Sequence, residues 1–232
     1  MPFDVFDYRT DVRNVVIMPD IRSRFLRMEP GEVGGRHSHD LGQEVFLILE
    51  GECEFEIEGE RAVLGPGQMC FAAANQMHQV RTVGDRPMTM YLSVTPHIEP
   101  THTFWNEEGE KLPPRYGGAT VNERAAHAGP ASLVSEVAAN QIAAARALAV
   151  AATENAASQE REAAVLEQAL AAGDLAAAKA AVDGMWRTML ETYRSVQDLG
   201  EAWNATEPMD MTGVIAEADA KVNELLAEAS AG

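Results

Sequence analysis

The chain has little of what marks nucleic-acid-binding or membrane-surface proteins. Lysine and arginine total 18 against 36 aspartates and glutamates, so the formal net charge is -18. Phosphate backbones and anionic membranes both select clustered basic side chains. The composition therefore argues against nucleic acid and against a membrane as partners.

Long apolar runs are also missing, and the sequence predicts no N-terminal leader. No apolar stretch approaches the roughly 18 residues that a membrane-spanning helix needs, and the first residues lack a charged-then-apolar pattern. Only two cysteines occur, Cys53 and Cys70, without CxxC spacing, which argues against a thiolate zinc site. We predict buried free thiols in a cytoplasmic protein, with a disulfide between them left open.

The first half of the chain has the periodicity of β-strands. From about Val12 to Thr95, apolar residues alternate or form short runs between frequent turn signals. In the clearest strand, Cys53, Phe55 and Ile57 face one way and the intervening glutamates face the other. The predicted strands are Val15–Met18, Ser23–Met28, Val45–Leu49, Glu52–Glu58, Arg61–Leu64, Met69–Ala73, His78–Val83 and Met88–Val94. About eight short antiparallel strands predict a jelly roll or small barrel.

The second half has the composition of helices. Residues 131–182 are dominated by alanine, the strongest helix former, and Gly173-Asp174 would end one helix and cap the next. From Val182 to Trp203, large apolar residues recur at a spacing of four or three, which is typical of a helix-packing seam. We predict three or four helices, two of them long, with the last at about 215–229.

These patterns divide the chain into three parts. Residues 1–118 would hold the barrel and a trailing irregular segment, residues 119–130 a linker, and residues 131–232 the helices. The irregular segment, 96–118, is rich in proline and glycine and would be either a flap over the barrel mouth or a packed connection over the outer sheet. We favour the packed connection.

The helical region predicts self-association. An alanine-rich hairpin with few large side chains buries little apolar surface alone, and a stripe of aromatic residues and methionine is far more often core or interface than a cofactor site. We therefore expect a homodimer or larger homo-oligomer, formed through the helical region, the barrel, or both.

The most informative run is GEVGGRHSHDLGQEVFLILEG, residues 31–51. His37 and His39, two residues apart on an extended segment, point to the same side. Glu44 follows five residues later, and His78 begins another strand. Imidazole nitrogens and a carboxylate that face one cavity are the donors that first-row transition metals take. The sequence therefore predicts a metal site built from these four side chains.

This run resembles the first motif of the cupin family: glycine, five residues, HxH, four residues, glutamate, six residues, glycine. The matching positions are Gly31, His37, His39, Glu44 and Gly51. The second motif aligns with Gly67, Ala73, Asn75, His78 and Thr82, which keeps the histidine but replaces the proline, the second glycine and the final asparagine. The resemblance covers roughly residues 12 to 95. It implies a cupin barrel that binds one divalent metal, most often Fe or Mn, while the ligand types also suit Ni, Co, Cu or Zn.

Strand parity predicts a mainly apolar pocket for a small-molecule substrate beside the metal. Its expected lining is Phe46, Phe55, Ile57 and Val80. Tyr91, as a catalytic group, and one of Arg22, Arg24 or Arg27 would add polar anchors. His97, His102 and His127 lie outside the motif and are taken as ordinary loop histidines.

Three kinds of function fit this site. The first is a dioxygenase whose chelating substrate occupies two open metal positions, with Glu44 able to shift and act as a base. The second is a non-oxidative isomerase, lyase or decarboxylase, which needs a separate acid or base. The third is a ligand-binding module without catalysis. Because only Tyr91 stands out as a separate acid or base, the sequence favours the dioxygenase.

Overall fold

The computed structural model describes residues 3–113 and 134–205, in which strands come first and helices follow. The strands are β1 (Asn14–Ile17), β2 (Arg22–Met28), β3 (His37–Ser38), β4 (Gln43–Glu50), β5 (Glu52–Ile57), β6 (Glu60–Leu64), β7 (Met69–Ala72), β8 (His78–Val83), β9 (Met88–Thr95) and β10 (Thr103–Phe104). The helices are α1 (Val134–Ala172) and α2 (Leu175–Asn204). The predicted linker, 119–130, and the predicted last helix, 215–229, lie outside the described residues.

The strands form two antiparallel sheets of five strands each. The first has the order β1-β2-β9-β4-β7 and the second the order β10-β3-β8-β5-β6. From β2 to β5, and again from β6 to β10, each strand lies in the other sheet from the strand before it, as in a jelly roll. The predicted β jelly roll followed by an all-α region is confirmed.

Alternate residues of the central strands form the core of the β unit. Buried side chains come from both sheets, and their apolar members pack in one cluster. The fully buried members include Ile48, Cys53, Met88 and Met90. The predicted alternation in β5 is confirmed, because Cys53 and Phe55 are buried while Glu52, Glu54 and Glu56 are more accessible. Burial of this apolar surface stabilises the β unit.

The proline-rich segment after β9 differs from the favoured prediction. Residues 103–104 form β10, which pairs with β3 so that Thr103 lies opposite Ser38 and Phe104 opposite His37. Side chains along this segment point alternately to its two sides, and those of Thr101 and Thr103 are buried. The segment therefore joins the second sheet beside the predicted metal ligands instead of lying as a connection over its outer surface.

The helical unit is an antiparallel hairpin of α1 and α2. Gly173 has a φ of +72°, the left-handed conformation that ends a helix, and the side chain of Asp174 accepts a hydrogen bond of 3.0 Å from the Ala177 N–H. The predicted stop and restart is confirmed. Between the helices, the Gln159 amide donates to the Met185 carbonyl at 3.0 Å. No helix in the described ranges combines the length and hydrophobicity needed to cross a bilayer.

Candidate metal centre

The four predicted donors come together at one end of the β unit. His37 lies on β3, Glu44 on β4 and His78 on β8, while His39 follows β3 directly. Because β3 pairs with β8, His37 stands opposite His78 across the ladder. One ligand atom from each of the four side chains lies within 4.8 Å of every other. The fold therefore gathers in space the residues that the sequence motif places in two separate stretches.

The imidazole Nε2 atoms converge on one oxygen of Glu44. Oε2 of Glu44 lies 2.8 Å from Nε2 of His39, 3.1 Å from Nε2 of His78 and 3.9 Å from Nε2 of His37. The Nε2 atoms of His37 and His78 are 3.2 Å apart. These distances bring three nitrogens and a carboxylate around a single point.

The other nitrogen of each ring is committed to a backbone carbonyl. His37 Nδ1–H donates to the Gly35 oxygen at 3.0 Å, and His78 Nδ1–H donates to the Gln76 oxygen at 2.9 Å. His39 Nδ1–H donates to the Thr101 oxygen. Since a carbonyl only accepts, the neutral rings carry their proton on Nδ1 and present a lone pair at Nε2. Three lone pairs and a carboxylate facing one another require a cation between them, so the donor set fits a metal ion.

Burial and charge act on these groups in opposite directions. Burial raises the pKa of Glu44, but the three imidazoles outweigh it, and the pKa of this carboxyl lies well below its usual value. Burial also lowers the pKa of His37, although Glu44 acts in the other direction. The site thus holds an ionised Glu44 beside the His37 imidazole, whose protonated form is disfavoured by burial. Ionised glutamate and neutral imidazole are the states that bind metal.

A buried arginine supports the glutamate from the neighbouring strands. The Arg22 guanidinium lies 3.6 Å from Oε1 of Glu44, and both side chains are almost completely buried. Arg22 is opposite Val94 on β9, which is opposite Glu44 on β4. The three residues therefore form one row across the inner face of the first sheet. Arg22 approaches Oε1 of Glu44, whereas the histidines approach Oε2.

A cavity of about 570 Å³ opens from this cluster into the interior of the β unit. Its size is that of pockets that bind small organic molecules. Side chains of three kinds line it: apolar Phe46 and Val80, cationic Arg22 and Arg24, and Glu99 and His102 from the segment before β10. Phe55 and Ile57, predicted as lining, are not among the lining residues. Phe55 instead packs under Phe46, with the ring centroids 4.7 Å apart.

The structure does not bring Tyr91 to the cluster. Inward positions of β9 are held by Met90 and Leu92, which line the cavity, and Tyr91 lies between them on the opposite face. Its hydroxyl is 2.9 Å from Ser23 Oγ, and its ring packs against Phe25. Side chains alternate between the two faces of each strand, so Phe46 on β4 points into the cavity whereas Tyr91 on β9 points away from the metal ligands.

Two polar residues of the cavity were missed by the sequence reasoning. The His102 ring lies 4.8 Å from the His37 ring and 4.9 Å from the His39 ring. Burial and the neighbouring histidines hold the pKa of His102 well below its usual value. Glu99 is buried, and Oε2 accepts a hydrogen bond of 3.1 Å from the Thr101 N–H. The signal was the alternation Thr-His-Thr-Phe after Pro100, which is typical of a short strand.

The remaining candidates have ordinary structural roles. Cys53 and Cys70 are free thiols, as predicted, but only Cys53 is buried and Cys70 is half-buried. His97 is completely buried, and its Nε2 lies 3.2 Å from Oε1 of Glu99. His97 therefore helps to fix the carboxylate that faces the cavity. His127 lies outside the described residues.

Residues 24–95 match the family described as "Cupin domain". The chain is 36% identical over 61 residues to the pectin degradation protein KdgF of Dickeya dadantii, a match that covers 26% of this chain and 56% of that protein. It is 30% identical over 69 residues to the polyketide synthase CurC of Streptomyces cyaneus, covering 30% of this chain and 45% of that one. The chain thus spans about half the length of these curated relatives.

Among solved structures, the chain is similar to an uncharacterized conserved protein with a double-stranded beta-helix domain from Klebsiella pneumoniae. The TM-score is 0.42, the sequence identity is 21%, and the match covers 46% of this chain and all of that one.

Proposed function

We propose, from the premise that residues 24–95 of this chain form a cupin domain, that the protein is a metal-dependent enzyme that acts on a small organic molecule with chelating oxygens. One observation carries the proposal. The three imidazoles use Nδ1 on backbone carbonyls, so their Nε2 lone pairs converge on a buried carboxylate at the end of a cavity. Such a convergence of acceptors needs a cation, and the cavity gives an organic molecule access to it.

His37, His39, Glu44 and His78 would hold the ion. A divalent ion bound there would act as a Lewis acid on the chelating oxygens of a substrate and, if it were iron or manganese, would also permit reaction with dioxygen. The chain itself contributes rigid ligands, because each ring is oriented by its carbonyl and Glu44 is flanked by Arg22.

The cavity favours a reaction that moves a proton. The sequence favours a dioxygenase because it offers no separate acid or base other than Tyr91. In the structure Tyr91 lies on the face of β9 opposite the cavity. Glu99 and His102 line the same cavity as the metal ligands, and each is oriented by Thr101. A carboxylate and an imidazole on the wall of a pocket are groups that can take or return a proton on a bound substrate. We therefore place an isomerase, lyase or decarboxylase reaction first.

A dioxygenase is the second candidate. Its support is the donor set, since three imidazoles and one carboxylate suit iron or manganese. In this reaction Glu99 and His102 would only position the substrate. Comparing turnover of small hydroxy- and oxo-acids with and without oxygen separates the two reactions: turnover that persists without oxygen excludes the dioxygenase.

The metal itself is tested by elemental analysis of protein purified without added metal. We expect close to one equivalent of a transition metal per chain in the wild type, and little in the His37→Ala/His78→Ala double variant. Glu44→Gln should also lower the metal occupancy, because a neutral amide replaces the negatively charged carboxylate ligand. Glu52→Gln, the same substitution at an exposed position of β5, is the matched control and should keep the metal. A double variant that retained its full equivalent of metal would refute the proposal.

Catalysis and simple binding are separated next. Tight binding of chelating acids to the metal-loaded protein, with no product formed with or without oxygen, would instead support a ligand-binding module.

A further inference from the structure

The inner face of β2 carries charge where a strand of a β-barrel normally carries apolar side chains. Arg22, Arg24, Leu26 and Met28 alternate along β2, and all four line the cavity. The first two are cationic and the last two apolar. Buried arginines are rare unless they have a partner, so charge on an inner face points to an anion.

The two arginines have different environments. The guanidinium of Arg22 lies 3.6 Å from Glu44. The Nε–H of Arg24 is also buried, but it has no hydrogen-bond partner among the residues that the structure describes. A buried donor without a partner costs stability unless something else accepts from it. Because Arg24 lines the cavity, a bound molecule could supply that acceptor.

The register of the sheet places Arg24 at a defined distance from the metal ligands. Arg22 shares a row with Glu44, through Val94, whereas Arg24 shares the next row with Leu92 and Phe46. Successive rows are two residues apart along the strand, which is roughly 6.6 Å. An anion at Arg24 would thus lie one row farther from the cluster than Arg22 does, with the apolar Phe46 and Leu92 in the same row.

The charge balance of the cavity favours an anionic ligand once the metal is bound. Inside the rim its charged side chains are the buried Arg22, Glu44 and Glu99 and the half-buried Arg24, whose formal charges cancel. A divalent ion makes the sum positive, and it stays positive when Glu32 at the exposed rim is counted. A substrate that carries a carboxylate would restore neutrality, and it would do so in a buried site where charge pairing is strong.

We propose that Arg24 is a specificity-determining residue that pairs with a distal carboxylate of the substrate, while the substrate's other end chelates the metal. This inference rests on the proposed function and narrows its substrate class to acids that carry two functional ends: a chelating hydroxy or oxo acid at one end and a second carboxylate several bonds away. The planar guanidinium suits this role because it can pair with a carboxylate through two parallel hydrogen bonds.

The test compares two probes that differ only at the distal end. 2-Oxoglutarate and 2-oxopentanoate have the same five-carbon chain and the same chelating oxo acid, but the first ends in a carboxylate and the second in a methyl group. Dissociation constants are measured by calorimetry on the zinc-loaded full chain. We expect 2-oxoglutarate to bind about tenfold or more tightly than 2-oxopentanoate. Equal binding of the two probes would overturn the proposal and leave the metal site intact.

Two variants assign the preference to the residue. Arg24→Gln should bring the ratio of the two dissociation constants close to one, and Arg24→Lys should restore part of it. Arg27→Gln makes the same charge change on the same strand, but Arg27 is exposed and pairs with Glu29, so it should leave the ratio unchanged. Elemental analysis of each variant should show undiminished zinc. A ratio that Arg24→Gln leaves as large as in the wild type would refute the assignment.

A spectroscopic readout separates failure of this inference from failure of the metal proposal. The ¹H–¹⁵N signal of the Arg24 Nε–H, identified by its loss in Arg24→Lys, should shift on addition of 2-oxoglutarate and stay in place with 2-oxopentanoate. The measurement needs no turnover and can be made on the zinc-loaded or the metal-free chain. If the wild type held no metal, the proposed function would fail, whereas a shift selective for 2-oxoglutarate would still support the anion site and no shift would refute it.

Discussion

The indole N–H of Trp105 donates a hydrogen bond of 2.9 Å to the Ser38 hydroxyl. Ser38 is fully buried and stands between His37 and His39, with its side chain on the opposite side of the chain from theirs. Trp105 is held in turn by the Lys111 ammonium, 5.6 Å from the ring centroid. The segment after β10 therefore fixes the short strand that carries two of the metal ligands.

Replacing Trp105 with phenylalanine should weaken metal binding without touching a ligand. The change leaves the buried Ser38 hydroxyl without its donor, costs roughly 1–3 kcal/mol of folding stability, and loosens the strand that orients both imidazoles. Changes outside the ligands of metal sites typically weaken affinity by about 10- to 100-fold. We expect a decrease within that range, measured by competition with a chromophoric chelator.

Trp203→Phe, the same substitution in α2, is the control for this experiment. It should leave metal affinity at the wild-type value. If Trp105→Phe also left it unchanged, Trp105 would only support the fold.

A second prediction concerns the turn between β4 and β5. Gly51 has a φ of +69°, and a Cβ built on it would lie 2.8 Å from the Met88 Cα and closer still to the Pro87 carbonyl oxygen. Gly51→Ala should therefore combine left-handed strain with a backbone clash, and we expect a loss of about 2–5 kcal/mol. Gly59→Ala is matched, since Gly59 has a φ of +84° but open space around it, and should cost about 1–2 kcal/mol.

The two free energies of unfolding are measured by urea titration. A larger loss for Gly59→Ala than for Gly51→Ala would contradict the assigned contact between this turn and the start of β9.

The alternation of apolar residues was sufficient to predict most of the strands. The predicted Glu52–Glu58 and His78–Val83 correspond to β5 and β8 within one residue at their ends. Two strands were missed because β3 and β10 have only two residues each, too few for a period to appear. Their pairing depends on contacts between residues far apart in the chain, such as Thr103 with Ser38 and His37 with His78.

The candidate site was predicted only in part for the same reason. The four donors follow from a local motif and one distant histidine, and the structure brings them together. Glu99 and His102 reach the cavity through the path of the chain after β9, and the alternation Thr-His-Thr-Phe predicts a short strand there but not its place beside β3. The outward position of Tyr91 could have been predicted from the sequence. Tyr91 shares a strand face with the polar residues Thr89 and Ser93, and the apolar residues of β9 lie on the other face.

The cysteines predict a dependence of reactivity on pH. Burial, as the main cause, raises the pKa of Cys53 and of Cys70 to about 12. The thiolate is the reactive form, so at pH 8 both thiols should react with iodoacetamide about a thousandfold more slowly than in the urea-unfolded chain. Mass spectrometry after timed labelling measures both rates. Equal rates in the folded and unfolded chain would contradict the raised pKa values.

The raised pKa values of the two cysteines also determine how the stability of the fold changes with pH. The unfolded thiols lose their protons at a pKa of about 8.5, before the folded ones do. Above that pH the unfolded state therefore binds fewer protons than the folded state, and the free energy of unfolding falls as pH rises. Replacing both cysteines with serine should reduce the slope of this fall between about pH 8.5 and 11. An unchanged slope would mean that other groups cause it.

Self-association through the helical hairpin stays a prediction, and α2 gives it a specific test. Val182, Trp186, Met189, Tyr193 and Val196 follow a spacing of four or three and are all exposed, Trp186 by 57% and Tyr193 by 59%. The chain has a net charge of -18, but this stripe is apolar, so the same stripe on a second copy could pack against it without bringing charged side chains into the contact.

We expect the wild type to sediment as a dimer or larger homo-oligomer. Trp186→Glu should shift it toward the monomer, whereas Ala180→Glu, which adds the same charge at an exposed position on the other side of the helix, should not. A wild type that sediments as a monomer at every concentration measured would show that the stripe is not an interface between copies of this chain.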